Sequence, residues 1–124
     1  MRGLFIGVLA LALAVPAAAA DENDAGSELG SGMASYFSRE MAGNRTANGE
    51  RCDPDTLTAA HRTAPFGSRI RVTSLATGKS VVVRINDRGP FSGGRVIDLS
   101  HAAAREIGMH RSGTARVSLA QLDE

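Results

Sequence analysis

The chain has 124 residues, 22% of them charged and 4% aromatic, with a formal net charge of +1 and a single cysteine. That length holds one domain with a modest core, and one cysteine excludes a disulfide within it. The near-neutral total hides a basic middle, since residues 33–120 carry thirteen Lys and Arg against seven Asp and Glu, which points to anionic partners.

Residues 1–20 read MRGLFIGVLALALAVPAAAA, with Arg2 at the start, an apolar run, Pro16, and small residues at Ala18 and Ala20. This is the pattern of a cleaved secretory signal peptide. The apolar run is too short for a bilayer core of roughly 30 Å. No cysteine follows it closely, so no membrane anchor is expected, and the product is expected to be periplasmic or secreted. Residues 21–32, DENDAGSELGSG, hold four acids and three glycines and read as a flexible acidic leader. The domain is expected over residues 33–124, with its body at 33–120.

Alternation of apolar and polar residues supplies the next elements. Residues 33–37 are expected to form a first strand and residues 57–60 a short second one. In residues 69–74, Ile70 and Val72 share a face, and in residues 80–85 so do Val81, Val83 and Ile85. The turn at 76–79 makes these two a hairpin. Residues 95–99 and 115–120 complete six strands, Val117 and Leu119 facing one way in the last. One helix is expected over residues 101–107, with Ser100 as N-cap, Gly108 just past its end, and Ala103 and Ile107 toward the core. Residues 43–49, GNRTANG, can only be a loop. Six short strands, one short helix and glycine-rich loops indicate a small, mostly β, closed barrel.

Chemistry narrows by elimination. His61, His101 and His110 have no zinc spacing, and neither a serine nucleophile elbow nor a phosphate loop is present. Cys52 reads as a small buried apolar side chain, the other reading being a pair with another chain. An exported protein without basic helices or interleaved aromatics is not expected to bind nucleic acid. Carboxylates remain: Glu50 at a loop end, Asp53 and Asp55 around Pro54, Asp87 at a strand end and Asp98 within a strand. Asp53-Pro54 reads as the cap of a single helical turn. Asp87 is either a structural acid, closing the turn or pairing with Arg88 or Arg95, or a catalytic one. If Ile97 and Leu99 fill the barrel, Asp98 lies on the outer, groove-facing side; if that is reversed, it is buried and must be paired. His61 is equally a hydrogen-bonded structural residue or a participant.

Four stretches carry a resemblance: TANGE (46–50), LTAAHRTAPFGSRIRVT (57–73), VVVRINDRGPFSGGRVIDLS (81–100) and AAAREIGM (102–109). Together they resemble the rare lipoprotein A (RlpA-like) family over nearly all of residues 33–120. The resemblance implies a six-stranded double-psi β-barrel, related to expansins and family-45-type endoglucanases. It also implies lytic transglycosylase activity, a carbon–oxygen lyase reaction on peptidoglycan glycan strands, preferably those stripped of stem peptides. The products would be 1,6-anhydromuramyl ends, formed by a monomer without cofactor or metal. It places the family's catalytic aspartate at Asp87, its acidic loop residue at Glu50 and its histidine at His61. Asp98 sits where related double-psi enzymes carry a catalytic aspartate.

Physical reasoning extends this to substrate binding. Arg88 suits acetyl carbonyls or lactyl carboxylates. Gly93 and Gly94 let a bulky glycan approach the backbone, and Asn48 lies in the acidic loop. The family's first strand often reads Ser-Trp-Tyr-Gly, here Ser35-Tyr36-Phe37-Ser38, which leaves Tyr36 as the sugar-stacking candidate. Two other readings stay open on these residues: a non-catalytic, expansin-like glycan-binding module, and a hydrolase in which a second acid activates water.

Overall fold

The computed structural model describes residues 27–122. The six strands are β1 (Ser27–Tyr36), β2 (Thr58–Ala60), β3 (Arg69–Ser74), β4 (Ser80–Asp87), β5 (Arg95–Leu99) and β6 (Thr114–Gln121), and α1 (His101–Glu106) follows β5. They close into a barrel in the order β1-β5-β2-β4-β3-β6. The β1–β5 and β2–β4 pairs are parallel and the remaining pairs antiparallel. This is the expected closed, mostly β architecture with one short helix. The signal-peptide segment lies outside the described residues.

The core is the one that alternation predicts. Ile70, Val72, Val83, Ile85, Ile97, Leu99, Val117 and Leu119 point into the barrel and are essentially solvent-free. Each such side chain stabilises the fold by about 1.5–3 kcal/mol through lost apolar exposure. Helix α1 closes one side: the Ser100 hydroxyl accepts from the Ala103 N–H, and Ala103, Ala104 and Ile107 are buried. Gly108 follows at φ +79, a conformation that suits glycine at a helix end. Asp53-Pro54 opens a single hydrogen-bonded turn: the Asp53 carbonyl accepts from the Thr56 N–H at 3.2 Å and its Oδ1 from the Asp55 N–H at 3.0 Å.

The start of the domain corrects the sequence reading. Ser27 to Gly32, assigned above to the flexible leader, form the first half of β1 and pair antiparallel with β6. Their backbone groups are satisfied by a strand at the other end of the domain, which no local composition reveals. Leu29 packs against the core. Gly32 is not a linker residue either: a Cβ there would lie 2.6 Å from Val96 Cγ1. Its missing side chain lets β5 close against β1.

Candidate active site

A β-bulge aims the central carboxylate. Along β4, Val81, Val83 and Ile85 face the core, so strict alternation would send Asp87 inward with them. The register against β2 runs Ala59 to Ile85 and then Ala60 to Asp87, leaving Asn86 without a partner. The extra residue turns the strand end over and places Asp87 on the outer face. Asn86 itself is only 4% exposed. Its Nδ2 donates to Glu50 Oε1 at 3.1 Å, and its carbonyl accepts from the Asn48 N–H at 3.2 Å.

Register places the second carboxylate on the same surface. Ala60 pairs with Asp87 on one side and Asp98 on the other, and Asp98 pairs in turn with Ser35. Ser35, Asp98, Ala60 and Asp87 thus form one row across four adjacent strands. At the usual strand spacing of about 4.8 Å, the two acids stand two strands apart with a methyl group between them. Asp98 is on the outer side, because Ile97 and Leu99 fill the barrel. Its side chain is 23% exposed and ion-paired with Arg95, Nη1 to Oδ1 3.0 Å. The Ser35 hydroxyl donates to the same oxygen at 2.5 Å, and Arg95 also donates to Ser35.

Both acids line one open cleft of about 140 Å3. Its floor is Thr58 and Ala60 on β2, small residues that leave room above the strand. Loop residues Asn44, Arg45 and Thr46 supply a polar wall, and Phe37, Met41 and Cys52 an apolar one. Asp87 Oδ1 accepts from the backbone N–H groups of Ala47 and Arg88, both at 2.9 Å. The described residues place no ion pair on this carboxylate. Asp87 therefore ties the acidic loop to the strand end while remaining in the cleft wall.

Glu50 stands behind this wall and is not part of the cleft lining. Hydrogen bonds from Arg84 (Nη1 to Oε2 2.7 Å) and from Asn86 hold its carboxyl at about 2, well below the usual range. It is a fixed anion at neutral pH, joined to Asp87 through Asn86. Asn48 shapes the same loop: its Oδ1 accepts from the Thr46 hydroxyl at 2.7 Å and from the Glu50 N–H at 3.1 Å.

His61 adjoins Asp87 by backbone only, its N–H donating to the Asp87 carbonyl at 3.2 Å. Its ring Nδ1 accepts from the N–H groups of Thr63 and Ala64 at 3.2 and 3.0 Å. Burial, then the charges of Arg62 and Arg88, lower its pKa, so the neutral ring caps this turn. Arg88 does line the cleft, and its guanidinium is anchored: Nη1 donates to the His61 and Ala64 carbonyls at 3.1 and 2.8 Å, with the Phe66 ring centroid 3.9 Å from its Cζ.

Like Asn48, three other binding candidates fall outside the cleft lining. The Tyr36 hydroxyl donates to the His110 carbonyl at 2.5 Å, and its ring meets His101 edge-on at 5.4 Å, so it serves packing. Phe37, the next residue, is the aromatic in the cleft wall. Gly93 and Gly94 are exposed in the β4–β5 loop, with the Gly94 carbonyl accepting from the Met33 N–H at 3.2 Å. Cys52 is half-buried and faces the cleft; burial, followed by the charges of Asp87 and Asp53, raises its pKa, which keeps it a thiol. The described residues hold no group of three or more His, Cys, Asp or Glu able to bind a metal.

Sequence reasoning missed Phe37, Met41, Asn44, Arg45 and Thr46 as wall residues. They come from the loop between β1 and β2, whose only local signal was the glycine-bounded GNRTANG stretch.

Comparison with known proteins shows the family and agrees with the fold. The sequence profile described as lytic transglycolase, of the double-psi β-barrel class, matches residues 30–119. A probable endolytic peptidoglycan transglycosylase RlpA of Synechocystis sp. is 64% identical over 88 residues, 71% of this chain and 27% of that protein. The endolytic peptidoglycan transglycosylase RlpA of Pseudomonas aeruginosa is 52% identical over 101 residues, 82% of this chain and 30% of that protein. The chain thus spans under a third of the length of either relative. In fold, it is similar to the apo expansin of Clavibacter michiganensis, with a TM-score of 0.61 at 24% identity over 77% of this chain and 50% of that one.

Proposed function

Since the chain belongs to the lytic transglycolase family of double-psi β-barrels, we propose that it cleaves the β-1,4 bond between N-acetylmuramic acid and N-acetylglucosamine in peptidoglycan glycan strands, with Asp87 as acid and base. The observation that carries this reading is the row Asp98–Ala60–Asp87 across the floor of an open cleft. Two carboxylates face one groove above an alanine methyl, where a glycan strand has room to lie.

In the first half of the reaction, protonated Asp87 gives its proton to the glycosidic oxygen as the bond to the muramyl anomeric carbon breaks. The leaving N-acetylglucosamine departs with a free 4-hydroxyl. In the second half, the muramyl 6-hydroxyl attacks that carbon and its proton passes to the Asp87 carboxylate. The product is a 1,6-anhydro end, no water is consumed, and Asp87 returns to its starting state. Asp98, ion-paired with Arg95, stabilises the positive charge that develops at the anomeric carbon. Glu50, ionised behind Asn86, adds negative potential and keeps the bulge in place. It does not act as proton donor. His61 and Arg88 are positioning residues that fix the strand end on which Asp87 sits.

Peptidoglycan lies outside the cytoplasmic membrane, so the proposed working place is the cell envelope. Strands stripped of stem peptides, cut by a monomer without cofactor, are the proposed substrate and unit. Incubating the protein with such strands and reading the ends by mass spectrometry tests the proposal. Wild type yields anhydromuramyl ends. Asp87→Asn binds the strands and loses about 10²–10⁴-fold in rate. Binding without any cutting by wild type replaces the enzyme with a glycan-binding module, and reducing ends replace the lyase with a hydrolase.

A further inference from the structure

Beyond the cleft, the loop after Asp87 carries an aromatic that the fold does not use. Phe91 is 79% exposed, the most exposed large apolar side chain among the described residues. The residues leading to it, Gly89 and Pro90, are buried. Gly89 has φ +120, a turn conformation that favours glycine, and the Phe91 ring lies 3.5 Å from where a Gly89 Cβ would sit. The ring is therefore set on a fixed stem and presented to solvent. A second exposed aromatic, Phe66, is 42% exposed and stacks on Arg88, and Arg88 lines the cleft. Phe91 is three residues beyond Arg88, a chain reach of at most about 11 Å. The ring is thus carried on the short loop that begins at a residue of the cleft wall.

We propose that Phe91 is a stacking platform for a sugar ring of the glycan strand flanking the cleavage position. This inference rests on the glycan-cleaving reading above and names a specificity residue for it. The C–H face of a pyranose is apolar and its rim polar, which matches an exposed ring surrounded by small polar groups and arginines. Ser92, Gly93 and Gly94 follow Phe91 and are all exposed, leaving the space beside the ring open to a broad ligand. Arg95 and Arg62 come next on this side, the Arg62 Nη2 donating to the Arg95 carbonyl at 2.8 Å. A protein partner would call for a contiguous apolar patch, which these neighbours do not supply. Tyr36, the sequence-based candidate for stacking, is committed to His110 and His101.

The test measures co-sedimentation with purified peptide-free glycan strands, in the Asp87→Asn background so that the strand is not consumed. Phe91→Ala binds about three- to tenfold more weakly, the size expected for one aromatic stacking contact, and Phe91→Trp restores binding. The thermal midpoint of Phe91→Ala stays at the parent value, because the ring is outside the core. In otherwise wild-type protein, the Phe91→Ala loss falls on KM and shifts cutting away from long strands. Unchanged glycan binding and an unchanged KM in Phe91→Ala overturn the proposal. So does a change confined to self-association or to anionic vesicle binding, which would assign the ring to a second copy or a lipid surface. The two readings fail separately: wild type that binds but never cuts sinks the enzyme and leaves the platform standing, whereas a Phe91→Ala that cuts and binds like wild type sinks only the platform.

Discussion

Replacing Arg95 with methionine probes the link between the ion pair and the chemistry. Methionine keeps much of the stem but removes both donors to Asp98 and Ser35. The pair is 34% and 23% exposed at its two side chains, with a 3.0 Å separation. That places it between exposed pairs, worth about 0.2–1 kcal/mol, and buried ones, whose disruption costs about 3–5 kcal/mol. A hydrogen bond to a charged group is worth about 1.5–3 kcal/mol, and that range fits this intermediate setting. If Asp98 stabilises the transition state from the position Arg95 gives it, kcat/KM for anhydromuramyl formation falls about 10- to 150-fold. The discriminating assay is a double-mutant cycle with Asp98→Asn, scored by both denaturant midpoint and kcat/KM. In the Asp98→Asn background there is no charge left to pair, so Arg95→Met costs little and the coupling is about 1.5–3 kcal/mol. Additive effects, with a coupling below about 0.5 kcal/mol in both measurements, refute the reasoning.

Two further predictions concern the frame around the cleft. Glu50 has its folded pKa lowered from 4.5 to about 2, chiefly by Arg84 and then by Asn86. Its contribution to stability is complete above pH 4.5 and is lost as pH falls through about 2, so the midpoint difference between wild type and Glu50→Gln shrinks across that window. The Glu50 side chain is 39% exposed, and solvent screening limits the effect to about 1 kcal/mol or less; a difference that grows toward pH 2 contradicts the assignment. Gly32→Ala forces its Cβ to within 2.6 Å of Val96 Cγ1, a stiff branched side chain. Overpacking of this kind costs about 1–3 kcal/mol, and the loss is recovered in Gly32→Ala with Val96→Ala if that contact is its cause.

Much of the barrel was legible in the sequence. Arg69–Ser74 and Arg95–Leu99 appear at the boundaries that alternation sets, because period-two burial is a local consequence of one face meeting the core. The same rule set Ile97 and Leu99 on the face opposite Asp98, and burial of the two apolar residues then decided which face meets the core. The helix was equally plain, since Ser100 and Gly108 mark its ends by chemistry that acts within a few residues. The main acids were recognisable too, from the family likeness around TANGE and NDRGPF, though not their division into a fixed anion, an ion-paired acid and an acid of the cleft wall.

What only the tertiary structure decided depends on contacts distant in sequence. Ser27 to Gly32 look like a linker until β6 supplies their hydrogen-bonding partners. Asp87 would follow Val81, Val83 and Ile85 inward by strict alternation; the unpaired Asn86 at the β2–β4 register shift reverses it. His61 and Tyr36 have side chains suited to catalysis and stacking, yet the N–H groups of Thr63 and Ala64 and the carbonyl of His110 already occupy them. Local patterning determined which residues could be buried and which could titrate. Strand register and hydrogen-bond partnership, set by the closed barrel as a whole, decided which of them face the cleft together.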